Sequence, residues 1–231
     1  MRPPTAAPWC SVVIPTLNEA ACLPATLRQL AGHNLEVIVS DGGSTDATVS
    51  LARAHGARVV VSTPGRADQL NAGARIAGGT HLLFLHADTL LPPDFATILR
   101  DGFPDLPACF RLRFGGDHGS WLLRFYGYCT RFEVPAFRFG DQGLWVRRTD
   151  FEAVGGYPAG WHLLEDNEIV RRLARHRGRI RVLGAEVVTS PRKYLRHGTV
   201  YTQCVYVFLY GLYRLGAGQS ILRRVYRRLL Q

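Results

Sequence analysis

The chain has 231 residues, 47% hydrophobic and 20% charged, a balance that excludes disorder, collagen and coiled coil. A chain of that length can bury roughly 70% of its unfolded surface, so it needs no disulfide or metal staple. Its net charge of +10 is unevenly placed: residues 1–170 hold 14 Arg against 17 acids, and residues 171–231 hold 13 Arg and Lys193 against Glu186 alone. That basic C-terminal quarter has to face something anionic, whether phosphate, nucleic acid or a membrane surface.

In chain order, the apolar run Ser11 to Ile14 reads as a buried strand, and Pro15-Thr-Leu-Asn18 turns into a helix over about 19–31. Leu35 to Val39 is a second strand, and the turn Asp41 to Asp46 leads into a helix over 46–55. Arg58 to Ser62 and a helix over 66–77 follow. His81 to Leu85 then precedes a helix that begins near Pro93. Four strand–turn–helix units in this span predict a parallel sheet, with ligands bound at the carboxyl ends of its strands. After residue 105 the rhythm changes: a strand over Ala108 to Phe114, a helix over 119–132, and a short strand Leu144 to Val146. A helix over Glu165 to Arg177, a strand over Arg179 to Val188 and a helical last thirty residues complete the pattern. No linker divides 1–198, which reads as one domain with halves at about 10–105 and 106–198. Residues 199–231 read as a basic, aromatic helical segment.

Five scattered cysteines without a C-x-x-C pair disfavour a disulfide framework and suit a reducing compartment. The start Met1-Arg2-Pro3-Pro4 lacks the apolar stretch of a signal peptide. The apolar run Cys204 to Tyr213 falls short of the ~20 residues that span a bilayer. A cytoplasmic location is therefore expected, with the inner face of the membrane as a variant of it.

Three polar turns are candidates for chemistry. Asp41-Gly42-Gly43-Ser44-Thr45-Asp46 puts a carboxylate and two glycines at a strand end, where backbone can approach a ligand; alone it is equally a capped strand-to-helix turn. The strand ending in His86-Ala87-Asp88 delivers a carboxylate suited to a hard cation shared with substrate phosphates, or simply a turn aspartate. Glu165-Asp166 opens a helix, where acids suit the dipole and where one of them is placed to act as a general base. Neither G-x-G-x-x-G nor a P-loop occurs.

Taken together and in order, Ser11-Val-Val-Ile-Pro-Thr-Leu-Asn-Glu19, Asp41 to Asp46, the strand ending at Asp88, and Glu165-Asp166 resemble the family 2 glycosyltransferases with the GT-A fold. The blocks Gly65 to Ala74, Leu83 to Thr89, Gly140 to Gly143 and Thr189 to Arg192 further resemble a bacterial subgroup associated with arsenosugar biosynthesis and radical-SAM genes. The resemblance implies a mostly parallel α/β sheet flanked by helices, with C-terminal helices added. It implies nucleotide-sugar binding by Pro15, Thr16, Asn18, Glu19, Asp41, Gly42, Arg66, Gln69, Asn71, Ala87 and Asp88. It also implies a divalent cation, Mn²⁺ or Mg²⁺, on Asp88 with His197 as a late ligand. His86 stands where the family's metal motif has its first acid. Asp166 takes the place of the catalytic base, supported by Glu165, and Gly140, Asp141, Gln142 and Trp161 are assigned to the acceptor. The implied partners are a UDP- or GDP-linked sugar and a hydroxyl acceptor, in arsenosugar or other glycoconjugate synthesis, with a membrane lipid carrier as an alternative acceptor.

Two other function classes fit the residues less well. A nucleic-acid-binding module leaves the acidic turns unexplained, and no nucleic-acid fold signature occurs; a nucleotidyltransferase lacks its Gly-rich basic loop, since Pro15 to Glu19 stand there. In the tail, Ile221 to Leu230 is amphipathic, with Leu222, Val225 and Leu229 on one side and Arg223, Arg224, Arg227 and Arg228 on another. Such a helix either lies on a membrane or packs on the body with its arginines in water.

Overall fold

A computed structural model describes residues 8–102, 105–116 and 120–230; the start at Met1, residue 119 of one expected helix and Gln231 lie outside that set. The first half alternates as the apolar periodicity dictates: β1 (Cys10–Thr16), α1 (Leu23–Leu30), β2 (Glu36–Asp41), α2 (Thr48–Ala54), β3 (Arg58–Val61), α3 (Arg66–Ile76) and β4 (His81–Phe84). Then come β5 (Thr89–Leu90), α4 (Phe95–Gly102), β6 (Ala108–Phe114), α5 (Trp121–Cys129), β7 (Leu144–Arg147) and α6 (Arg148–Ala153). The chain closes with α7 (Glu165–Arg177), β8 (Arg181–Thr189), α8 (Arg192–His197), α9 (Thr199–Arg214) and α10 (Gln219–Leu230). The helix expected over 19–31 starts only at Leu23, because residues 19–22 form a turn in which Leu23 N donates to Glu19 O at 2.9 Å. Pro24 then sits in the first helical turn, where its missing N–H costs nothing.

Among the described residues, eight strands form one sheet in the order β3-β2-β1-β4-β7-β6-β8-β5. β3, β2, β1 and β4 run parallel, as the four repeated units predict. β7 enters antiparallel between β4 and β6, and β5 is antiparallel to β8. β1, β2 and β4 are nearly continuous apolar runs because helices cover both faces. One core layer gathers Ile14, Leu23, Val39, Leu83 and Phe110; the other gathers Val13, Ile38, Leu70, Phe84 and Ile169. Gly73 of α3 has Val13 so close that a Cβ there would overlap its methyl group. That small residue is what lets α3 lie flat on the sheet.

α9 and α10 pack on each other around Val205, Leu209, Leu222 and Leu230, with Leu163 and Leu164 joining from the loop before α7. The apolar side of the terminal helix is therefore used internally: Leu222 is fully buried, and Val225 and Leu229 pack on the same cluster. Among the described residues, no helix is long and apolar enough to cross a membrane.

Candidate active site

The carboxyl ends of β1, β2 and β4 bring the three polar turns together. Thr16 and Asp41 are register partners at the ends of β1 and β2, and Thr16 Oγ1 donates to Asp41 Oδ1 at 3.1 Å. The same carboxylate accepts from Gly43 N at 2.9 Å, Ser44 N at 2.8 Å and Ser44 Oγ at 2.5 Å. Burial works to raise the Asp41 pKa, but these donors outweigh it and hold the group below the usual carboxylate range. Asn18 adopts φ 56°, a left-handed conformation that Asn tolerates. It stitches the first turn to the second: Asn18 N donates to Ser44 Oγ at 2.8 Å, and Thr45 N donates to Asn18 Oδ1 at 2.8 Å.

Several residues expected to meet a ligand are used as backbone clamps. Gln69 is buried, and its Nε2 donates to Thr16 O at 2.7 Å and Ser40 O at 2.9 Å. Its side chain lies 3.1 Å from where a Cβ on Gly42 would stand. Asn71 pairs with Tyr157 in both directions, at 2.9 and 3.0 Å. Gln142 is fully buried, donating to Phe137 O and accepting from Arg138. Trp161 stands edge-on to Tyr213 of α9. Pro15 and Ala87 lie in the strand and turn that carry Thr16 and Asp88.

The acid-rich end of the crevice is built by α7 and the short 3₁₀ turn Gly140–Gln142. Leu164 precedes α7 at φ 61°, a strained conformation for leucine that turns the chain sharply into the helix. Glu165 and Asp166 then open the helix. Arg66 Nη1 lies 3.2 Å from Glu165 Oε1 and 3.8 Å from Asp166 Oδ2, and despite desolvation these acids push the guanidinium pKa further up. Asp166 shares an apolar crevice with Leu70, Phe84, Tyr157 and Ile169. Burial first, then the adjacent Glu165 charge, raise its pKa to about 6 against the pull of Arg66.

Gly140 sits directly over this carboxylate: a Cβ there would collide with Asp166 Oδ2 and with His86 Nε2 at 2.6 Å. His86 Nδ1 in turn lies 2.5 Å from Asp141 Oδ1. Desolvation works to raise the Asp141 pKa, but the His86 ring, with Arg66 and Lys193 beyond it, holds it at about 2. The structure thus joins Asp141, His86, Asp166, Glu165 and Arg66 in one chain of ionisable groups. Arg138 underpins them: it is buried, donates to Thr130 O and Gln142 Oε1 at 2.9 Å each, and its own carbonyl accepts from Asn167 Nδ2. Its role has no sequence signal, because nothing marks a lone arginine as buried.

Asp88 stands at the other rim. Arg192 Nη2 reaches its Oδ2 at 2.9 Å and Glu19 Oε2 at 3.0 Å. Two carboxylates from separate turns therefore already converge on one positive group. Among the described residues no three His, Cys, Asp or Glu side chains stand close enough to hold a metal ion by themselves. One carboxylate with substrate phosphates is nevertheless how Mg²⁺-type ions are commonly bound, so Asp88 fits a shared cation better than a preformed cage. His197 ends α8, half-buried.

The family model described as glycosyl transferase family 2 matches residues 11–150. Over 96 residues the chain is 44% identical to a PGL/p-HBAD biosynthesis glycosyltransferase of Mycobacterium tuberculosis, covering 37% of this chain and 38% of that protein. It is 28% identical over 197 residues to the succinoglycan biosynthesis protein ExoA of Rhizobium meliloti, covering 71% and 57%. The chain thus spans less than two thirds of the length of these curated relatives. A mannosyltransferase of Pyrobaculum calidifontis, solved with GDP-Man and Mn²⁺, superposes with TM-score 0.67 at 22% identity over 96% of this chain and 70% of that one. Glucosyl-3-phosphoglycerate synthase of Mycobacterium tuberculosis, solved with Mn²⁺, UDP and its product, gives 0.59 at 22% over 91% and 81%. The fold is that of these GT-A enzymes.

Proposed function

This chain belongs to glycosyl transferase family 2, and on that premise we propose that it moves a sugar from a nucleoside-diphosphate donor to a hydroxyl acceptor with inversion, Asp166 serving as base. The observation that carries this reading is the Asp166 carboxylate, only partly exposed beside Glu165 and Arg66 with its pKa raised to about 6. A base tuned toward neutrality accepts a proton more readily than an ordinary aspartate.

In the reaction proposed, the acceptor oxygen attacks the anomeric carbon as its proton passes to Asp166. The bond from that carbon to the diphosphate breaks, and the nucleoside diphosphate leaves with the electron pair. Arg66 holds Asp166 and Glu165 in place, and its planar fork suits a phosphate once a donor enters. Asp141 keeps His86 turned toward the crevice, and Gly140 leaves room over the base. Asn18, Glu19 and the Asp41 turn, already stitched together, form the nucleotide side. Pro15, Thr16, Gly42 and Ala87 contribute backbone there, and Gln69 and Asn71 brace it. Gln142 and Trp161 brace the acceptor side. Asp88, with His197 as a further candidate, would hold a divalent cation, which when bound supplies charge neutralisation for the leaving diphosphate.

The Mn²⁺ with GDP-Man or UDP in the two solved relatives supports a UDP- or GDP-linked donor. The test is a thermal-shift series with UDP, GDP, their sugars and a short oligonucleotide, each with and without Mn²⁺. Metal-enhanced stabilisation by one nucleoside diphosphate supports the proposal; a response to oligonucleotides alone refutes it.

A further inference from the structure

The helices beside the crevice carry a surface that sugar transfer does not use. On α5, positions 121, 125 and 128 share one helical face, and Trp121, Phe125 and Tyr128 there are 70%, 53% and 52% exposed. Phe132, exposed just past the helix, continues the stripe against Tyr128. The opposite face of α5 is pressed onto the sheet, since a Cβ on Gly127 would stand 2.7 Å from the Leu112 carbonyl oxygen. The helix lies too close to β6 to roll and hide its aromatic side.

α9 is a neighbour of α5, with Tyr126 close to Cys204. Its inner side, Val205 and Leu209, is spent on α10, while Val207 and Phe208 remain 63% and 53% exposed. Two adjacent helices thus present one aromatic and aliphatic face. The same two helices and the turn after α5 carry exposed arginines, Arg124, Arg131 and Arg214. Arg131 lies over the Tyr128 ring at 5.1 Å. Residues 187–231 contain eight basic side chains and no Asp or Glu, and Glu133 is the single acid between 119 and 134.

We propose that this α5–α9 face docks the protein on an anionic lipid surface. Charge complementarity selects the occupant. Two copies of the chain face to face would bring positive rims together, whereas an anionic bilayer accepts arginines at its headgroups and aromatic rings at its interface. The terminal arginines of α10 add long-range attraction, although that helix's own apolar side is already buried. Tyr206, on α9 next to Val207, is close enough to influence Lys193 and Asp141 electrostatically, so the docked helix also borders the crevice. Docking and sugar transfer use different residues, and either can fail without the other.

The experiment is co-sedimentation of the full chain with vesicles of phosphatidylcholine alone and of phosphatidylcholine mixed with phosphatidylglycerol. The protein is expected to pellet with the mixed vesicles, far less with the neutral ones, and less as salt is raised. Trp121→Ser/Phe125→Ser and Val207→Ser/Phe208→Ser are each expected to lower the partition coefficient about tenfold or more. Their melting temperature and thermal response to nucleoside diphosphates should stay unchanged. Failure of the wild-type chain to pellet with anionic vesicles, or equal pelleting by the variants, overturns the proposal. So does a concentration-dependent dimer that the same substitutions abolish, which would assign the face to a second copy.

Discussion

Replacing Asp166 by Asn keeps the shape of the side chain and removes its titration. In the fold the Asp166 pKa rises from 3.8 to about 6, a shift of about two units, or about 3 kcal/mol at 1.36 kcal/mol per unit. Between these two pH values the native state binds more protons than the unfolded chain, so stability falls as pH climbs through that window. Above it, the native protein carries the full cost of an ionised carboxylate that is only 14% exposed; below pH 4 the cost vanishes. Asp166→Asn should therefore be more stable than the wild type by about 2–3 kcal/mol at pH 8, and by little at pH 4. A gain of that size corresponds to a melting shift of roughly 4–12 °C for a chain of this length. Urea and thermal unfolding at both pH values measure it, alongside a transfer assay in which the variant should bind donor yet fail to turn over. Equal stability at pH 8, or near-normal turnover, would refute the reasoning.

The wild-type kcat/KM should fall tenfold per pH unit below about 6 as Asp166 takes up its proton; a profile flat down to pH 5 would assign the base elsewhere. Arg192→Ala frees Asp88 and Glu19, so Mn²⁺ should bind the nucleotide-free protein more tightly by calorimetry, since two acids lose their cation. Weaker or unchanged Mn²⁺ binding would mean the two carboxylates do not form a cation site. Gly140→Ala forces a methyl group into Asp166 and His86; it should cost about 1–3 kcal/mol of stability and most of the transfer rate, and an active, equally stable variant would show that the loop yields.

The sequence patterns that could be read were local ones. Alternating apolar runs and turns mark the first four strands and their helices, and the polar turns fall at strand ends because a parallel sheet leaves them nowhere else. Strand direction in the second half was not legible: Leu144 to Val146 reads as a strand in either sense, and only its pairing with β4 makes it antiparallel. Polar residues in the site pattern also hid two different uses. Gln69 and Asn71 look like ligand contacts by type, yet their amides hold main chain that lies 29 to 86 residues away in sequence. The links from His86 to Asp141 and from Arg192 to Asp88 span similar distances, and single-sequence periodicity carries no information about such pairs.

The stitching of the first turn to the second has a cost and a return in entropy. Asn18, Ser44, Thr45, Asp46 and Thr48 tie these turns, the nucleotide side of the function proposed above, together through hydrogen bonds made within the protein. A donor arriving there meets loops whose ordering was completed during folding, so less of its binding free energy is spent on freezing them. The opposite rim is different in kind. Its acids are neutralised by Arg192, an arginine from α8, a separate short helix, so any cation that binds there must compete with a charge already in place. Selectivity for a loaded donor over a free metal ion would then be written into the unequal rigidity of the crevice's two walls.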